Sequence, residues 1–513
     1  MATAILSLAL LGVTSAIGII GLGTTLPLSP CSMLAPASMG RRGLELSSVS
    51  LHNRPMPKLL RMVPQHLSMT KMHRIQAMAH CNFEESKDNL LKISITQASS
   101  KRIPSQEEAA NTASIIEHEN RFVAQNYAPL PIVFSRGSGV WLWDVNERQY
   151  LDLLGAYSVV SQGHSHPRIL YALVNQALRL ATCSRAIHND QLSGFAEYIT
   201  SLLGYDRVLV MNTGAEAFDT ALKLSRRWGY AVKGVEQDHA KVVVLQGNFH
   251  GRTLGAIAAS DASSSDGFGP HLPGFIKVPF NDVDALEDAF KDESVVAFIF
   301  EPIQGEAGVR IPSDGYLQTV RQLCNKYNVL FVADEVQTGL GRTGRMLACD
   351  HEGVRPDVVM LAKALSGGMM PISAVLADDD IMLNIKPGQH GSTFGGNAIA
   401  SAVALESLKV IVEEDLVSRS AKLGEFFLEG LRKINSPYIK NIRGRGLFLA
   451  FDVEPKGNRS ARNIVMSALE RGVLFKETHS HTIRLAPPFI ITEDEIRFAL
   501  DVIQQAIDEY GSD

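Results

Sequence analysis

A mostly parallel, doubly wound α/β sheet, followed by a smaller α+β segment, is the fold this sequence predicts. Three observations predict it. Apolar runs without polar alternation recur at Val208–Met211, Val242–Leu245, Val295–Phe300, Val329–Ala333 and Val358–Leu361, as expected of strands covered on both faces. Stretches with helical spacing separate them, for example Ala217–Tyr230 and Leu317–Tyr327, and strand–helix alternation implies a parallel sheet. After a long helix predicted over Ala398–Val412 the pattern changes to strand-like Gly446–Val453 and Thr482–Leu485.

The elements before the sheet are of two kinds. Met1 to Leu44 contain no acidic residue, and from Glu45 to Phe83 only Glu45 is acidic, while Arg41, Arg42, Arg54, Lys58, Arg61, Lys71 and Arg74 are basic. Acid-poor and Arg-containing is the composition of a transit peptide. Ala4 to Gly23 is uncharged and long enough for a signal core or a span, but no positive segment precedes it. An organelle-targeting leader over 1–100 is expected, with the mitochondrial matrix as destination. A plastid reached through a bipartite leader, an anchored enzyme and a cytoplasmic one are the alternatives. Next, G-V-W-L-W-D-V-N-E-R-Q-Y-L-D reads as a hairpin around V-N-E-R. The expected organisation is an N-terminal segment over 101–156 that packs with the small domain, a large domain over 157–400 and a small domain over 401–513.

Bulk properties narrow the function classes. With 513 residues, 45% hydrophobic and 20% charged, the chain is long enough for a large core and more than one domain. A formal charge of -5, from 49 basic and 54 acidic residues, gives no sign of nucleic acid as a partner. Cys31, Cys81, Cys183, Cys324 and Cys349 are scattered, with no CxxC pair or His-Cys cluster. Reduced structural thiols, and neither a disulfide framework nor a metal site, are expected.

Functional groups of a doubly wound sheet gather at the carboxyl ends of its strands. M-N-T-G-A-E-A follows the first strand, and Gly214 and Ala215 there are small enough for backbone N–H groups to meet a phosphate at a helix start. In F-H-G-R-T, Phe249 is suited to stack on a flat ring and Arg252 to clamp a carboxylate; taken alone, a core Phe and a surface Arg are the simpler reading. In E-P-I-Q-G-E-A-G-V, Glu301 and Glu306 suit either a loop cap or the neutralisation of a nearby arginine. A-D-E-V-Q holds Asp334 and Gln337, and an isolated acid just past a buried strand is costly unless paired. D-V-V-M-L-A-K-A-L-S-G-G ends its apolar run in Lys363, where burial would lower the amine pKa. G-S-T-F-G-G-N offers the Ser392 and Thr393 hydroxyls to a phosphate, or is a simple turn. A lysine and an aspartate ending two adjacent buried strands suit pyridoxal 5'-phosphate (PLP). The lysine amine condenses with the aldehyde, and the aspartate keeps the ring nitrogen protonated so that the ring takes up electrons.

Taken in order, G-H-S-H-P at 163–167, N-T-G-A-E-A, F-H-G-R-T, E-P-I-Q-G-E, D-E-V-Q-T-G-L-G-R-T-G, K-A-L-S-G-G, S-T-F-G-G-N and R-L-A-P-P resemble the class III PLP-dependent aminotransferases of fold type I. The resemblance runs from about Tyr127 to Ile491. It implies a large PLP domain and a small domain in an obligate homodimer or higher homo-oligomer. The active site then lies at the dimer interface, with Thr393 reaching the phosphate bound by the partner subunit. Gln337 would reach the phenolic oxygen of the ring. Within the family the sequence is similar to the ornithine-using members, which transfer the δ-amino group of L-ornithine to 2-oxoglutarate by a ping-pong route. Tyr127, in Q-N-Y-A-P-L-P, and Tyr157, in G-A-Y-S-V-V, match that branch's ornithine-gripping tyrosines. Glu306 and Arg484 match its switch: paired when ornithine is bound, parted when Arg484 takes the α-carboxylate of glutamate or 2-oxoglutarate, while Arg252 holds the distal carboxylate. Met369, Met370 and Phe394 depart from that branch's usual residues and are expected to stay clear of the chemistry. N-acetylornithine, 4-aminobutyrate or a polyamine as donor, an aminomutase, and a non-enzymatic relative are the alternatives.

Overall fold

The structure, a computed structural model, describes residues 105–261 and 265–512. The leader expected over 1–100 lies outside the described residues. After a helix over Gln106–Phe122, three short strands follow: β1 (Phe134–Ser138), β2 (Trp141–Asp144) and β3 (Gln149–Asp152). β2 and β3 form the predicted hairpin, with Trp141 opposite Leu151.

The central sheet holds β4 (Arg207–Met211), β5 (Lys241–Leu245), β6 (Phe275–Val278), β7 (Val295–Phe300), β8 (Leu330–Asp334), β9 (Val358–Leu361) and β10 (Ser373–Ala377). Their order is β4-β10-β9-β8-β7-β5-β6. Ladders from β9 to β6 are parallel, whereas β10 runs antiparallel to both β4 and β9. The sheet is therefore mostly parallel, with one reversed strand that periodicity does not reveal. Every residue of β7, V-V-A-F-I-F, is buried, because helices cover both faces. One of them, Gly214–Trp228, starts at a capping box of Thr213 and Glu216. It packs Ala217, Phe218, Ala221 and Leu224 onto the sheet. Where it ends, a Cβ on Gly229 would lie 2.2 Å from Val296 Cγ1, so only glycine permits that approach.

Beyond the helix Ala398–Glu413, capped by Asn397, a four-stranded antiparallel sheet has the order β11 (Ile439–Arg445), β12 (Phe448–Val453), β15 (Thr482–Leu485), β14 (Lys476–Thr478). Helices Leu416–Lys433, Ala461–Glu470 and Glu493–Gly511 pack with it. The two-residue β13 (Val473–Leu474) pairs in parallel with β3. Trp141 Nε1 donates to Glu495 Oε1 at 2.9 Å, a second tie between the first strands and the C-terminal part of the chain. Among the described residues no helix is long and apolar enough to cross a membrane, and no metal-binding cluster occurs. Cys183, Cys324 and Cys349 are unpaired thiols.

Candidate active site

Three adjacent parallel strands, β9, β8 and β7, end at one cavity of about 430 Å³, within the range of small-molecule sites. β8 ends in Asp334, which is buried. Its Oδ2 lies 2.6 Å from His250 Nδ1, and its Oδ1 accepts from the Val336 N–H at 3.1 Å. A contact of 2.6 Å to a carboxylate requires the imidazole proton on Nδ1. His250 is stacked on Phe218, centroids 4.8 Å apart. A buried carboxylate is thus held by one imidazole and one amide, without a Lys or Arg partner in hydrogen-bond contact.

Glu301 follows β7 and is also buried. Its two oxygens accept the Phe249 N–H at 2.6 Å and the Gly305 N–H at 3.0 Å. Burial pushes its carboxyl up to about 7; His250 pulls the other way, and Asp334 adds to the rise. Lys363 follows β9 by way of Ala362, at φ 43. Non-glycine residues held in that region cost about 1–3 kcal/mol and gather at working sites. Burial lowers the pKa of its amine, opposed by the Glu306, Asp334 and Glu301 carboxylates.

At another wall of the cavity the helix Gly214–Trp228 begins. Gly214 and Ala215 occupy its first two positions, where backbone N–H groups have no intrahelical partner. Asn212 Nδ2 donates to Ser392 Oγ at 2.7 Å, so Ser392 sits beside this helix start. Thr393 is exposed.

Phe249 and Gln337 complete the predicted residues that line the cavity; Tyr127, Tyr157, Arg252, Glu306, Arg484, Ser392 and Thr393 lie outside its lining. Three of these form a second cluster. Arg484, on β15, donates to Glu306 Oε1 at 2.9 Å and to Glu306 Oε2 at 3.3 Å. Its guanidinium carbon sits 5.1 Å from the Tyr157 ring centre. Gln337 Oε1 accepts from Arg484 at 3.4 Å and so joins this cluster to the cavity. Burial pushes the Glu306 carboxyl up, but Arg484 and Lys363 more than offset this, and the net direction is down. Tyr157 is shifted up, by burial first, with Arg484 opposing and Glu306 and Tyr127 adding. Tyr127 itself is 80% exposed. Arg252 is exposed, 5.0 Å from the Phe249 ring.

Tyr157 has unusual backbone. Gly155, Ala156, Tyr157 and Ser158 all have positive φ, at 55°, 48°, 61° and 70°. A left-handed turn costs about 1–2 kcal/mol for each residue that carries a Cβ, so three such residues must be held by their surroundings.

Sequence reasoning passed over His250, although F-H-G-R-T displays it, because nothing local says that it faces a carboxylate. It also passed over Val336, which lines the cavity. Met369 and Met370 were expected to stay clear of the chemistry; both line the cavity, since the Gly367–Gly368 turn folds the chain back over it.

The family model for aminotransferase class III matches residues 122–507. The chain belongs to the class III aminotransferases. The "Ornithine aminotransferase, mitochondrial" of Rattus norvegicus is 50% identical over 419 residues, 81% of this chain and 95% of that protein. An ornithine aminotransferase structure from Toxoplasma gondii, described as showing partial occupancy of PLP at the active site, has 44% identity and a TM-score of 0.76, covering 80% of this chain and 98% of that one. An acetylornithine aminotransferase structure from Elizabethkingia anophelis has 47% identity and a TM-score of 0.71, over 78% of this chain and 99% of that one.

Proposed function

We propose that this class III aminotransferase transfers the δ-amino group of L-ornithine to 2-oxoglutarate, giving L-glutamate 5-semialdehyde and L-glutamate, with PLP as cofactor. The observation that carries the choice of substrates is the Glu306–Arg484 pair beneath the Tyr157 ring. It is a buried cation with a removable cover, which suits a site that must accept a substrate without a carboxylate near the reacting carbon and then one with it. The rat and Toxoplasma relatives support the same donor.

The residues at hand fit PLP. A primary amine with lowered pKa faces a buried carboxylate across a cavity of suitable size, and small residues at a helix start offer free N–H groups. Lys363 would hold the cofactor covalently and Asp334 would face its ring nitrogen. Phe249 and Val336 would cover the ring and Gln337 its phenolic oxygen. Gly214, Ala215 and Ser392 would hold the phosphate, together with Thr393 of a partner subunit in a homodimer. When bound, PLP supplies an aldehyde that exchanges amines and a ring that accepts electron density. The chain's own groups do the rest. Once the substrate amine has replaced it on the cofactor, the freed Lys363 Nζ would take the proton from the δ-carbon of ornithine, and its lowered pKa favours the neutral amine that a base requires. Asp334, held by His250, would present its carboxylate to the ring nitrogen. Tyr127 and Tyr157 grip the amino-acid end of ornithine. With glutamate or 2-oxoglutarate, Glu306 leaves Arg484 free for the α-carboxylate and Arg252 takes the distal one.

Residues 157–400 would form the large domain and 401–513 the small one, with 101–156 packed on the latter; the pairing of β3 with β13 supports this division. The composition of residues 1–100 and the mitochondrial designation of the rat relative support a mitochondrial matrix location. N-acetylornithine is the second reading, favoured by the Elizabethkingia structure.

The test is to purify the chain from residue 101 with PLP and add L-ornithine alone. Bleaching of the visible cofactor band, with one semialdehyde formed per site, is expected. Faster turnover of N-acetylornithine than of ornithine would overturn the donor.

A further inference from the structure

We infer that the left-handed turn Gly155–Ser158 is a strained seat for Tyr157, and that Arg342, acting through Ser161, is a positioning residue that holds this seat against Arg484. This rests on the assignment of Tyr157 to the substrate given above.

The turn is fastened at both ends. Before it, Asp152 Oδ1 accepts the Leu154 and Gly155 N–H groups, both at 2.9 Å, and Asp152 Oδ2 meets His164 Nε2 at 2.7 Å. A Cβ on Gly155 would lie 2.4 Å from the Ala486 carbonyl oxygen, so the turn enters pressed against the segment that follows β15. After it, the Val159 and Val160 N–H groups both donate to the Gly155 carbonyl, at 2.8 and 3.1 Å. Ser161 Oγ donates to the Ser158 carbonyl at 3.2 Å and accepts from Arg342 Nη2 at 2.7 Å.

Arg342 has no exposed surface. Its hydrogen-bond partners are neutral: besides Ser161, Nη1 donates to the Leu447 carbonyl at 2.8 Å and the Pro487 carbonyl at 2.7 Å. The Phe489 ring lies 4.4 Å from its guanidinium carbon. Leu447 immediately precedes β12, whose Ala450 is the register partner of Arg484. Pro487 stands three residues after Arg484 on the same chain. One planar fork therefore bonds the end of the turn that carries Tyr157 and the chain flanking Arg484 on two sides. Burying a guanidinium without a carboxylate in contact is costly. A rigid donor fork with fixed angles, which lysine lacks, is what this place uses.

The test is a double-mutant cycle on the holoenzyme with Ser161→Ala and Tyr157→Ala. Ser161→Ala removes the link to the turn while leaving the two carbonyl bonds of Arg342, so the fold is kept. Ornithine KM is expected to rise about fivefold with kcat nearly unchanged, and the effect should vanish when Tyr157 is already alanine, as coupled neighbours require. A second readout needs neither cofactor nor turnover: apoprotein carrying Ala156→Gly should melt higher than wild type, because glycine relaxes φ at an exposed position. Equal effects of Ser161→Ala in both backgrounds, or a lower melting temperature for Ala156→Gly, would overturn the inference. Failure of the ornithine assignment looks different, as wild-type enzyme that prefers N-acetylornithine. The cycle is then run on that donor, and additivity there overturns the seat equally.

Discussion

The floor of the cavity and the proposed substrate end beside it are built on opposite principles. On the floor, Asp334 ends β8, while Glu301 and Lys363 follow the adjoining strands β7 and β9. Its carboxylates are buried and held by backbone amides and one imidazole. At the substrate end, Tyr157 stands on a left-handed turn, Arg484 on a different sheet and Glu306 on a loop. An ion pair with a partly exposed carboxylate joins them. The floor groups stand at the end of a regular strand or just past it, where little can relax around them. On the proposed function, the groups that read two substrates meet through an ion pair with a partly exposed carboxylate, a contact able to open. Lys363, at φ 43, is the exception on the floor, and on the proposed function it is the one floor residue whose side chain changes partners during turnover.

The largest effect tests the floor. Lys363→Ala should lower kcat by roughly 10⁴-fold, the upper range for loss of a positioned acid–base group. The visible cofactor band should also go, read by absorbance and single-turnover kinetics. An active variant would mean that the base lies elsewhere and that the strand-end geometry has been misassigned.

Next comes a test of charge on the floor. The Glu301 carboxyl is pushed up to about 7 from an ordinary value of 4.5. Between those values the folded chain holds a proton that the unfolded chain has lost. Stability contributed by this group therefore falls as pH rises from 4.5 to 7, by roughly 3 kcal/mol if the whole shift is expressed. Glu301→Gln should flatten that part of the apoprotein's melting-temperature profile. Glutamine also turns an N–H toward one of the two backbone amides and loses about 1 kcal/mol at every pH, so slope rather than level is compared. Parallel profiles would show that Glu301 is ionised throughout.

The two regions also differ in how far the sequence revealed them. Strand ends are legible because burial on both faces leaves an apolar run, and a charge that stops the run stands out. Asp334 and Lys363 stand out that way; Gln337, Phe249, Gly214 and Ala215 needed the ordered set of motifs, and all six line one cavity. β6 was missed because Lys277 interrupts an edge strand of four residues, and β10 because S-A-V-L-A carries no sign of its reversed direction. His250 stayed hidden because its partner, Asp334, is 84 residues away. Tyr157 was found by resemblance, but its backbone was not: in G-A-Y-S only Gly155 hints at positive φ, and the contacts that impose it come from Asp152, Arg342 and Ala486.

The smallest effect tests whether the substrate end really opens. Arg484 is nearly buried, and Glu306 covers it with two hydrogen bonds. Glu306→Ala removes the cover and leaves Gln337 and the Tyr157 ring against the guanidinium. Ornithine, which brings no carboxylate to that place when its δ-amine reacts, should then meet an uncompensated cation. Its kcat/KM is expected to fall about tenfold, or ~1.4 kcal/mol. Glutamate supplies its own carboxylate to Arg484, so its half-reaction should change by less than about threefold, within the scatter of an uncoupled site. The bare guanidinium should also draw the α-carboxylate of ornithine inward, and product analysis should then find amino transfer from the α-carbon beside the δ-carbon. Equal losses in both half-reactions would make the pair a fixed structural bridge, and the contrast between a rigid floor and an opening substrate end would fail with it.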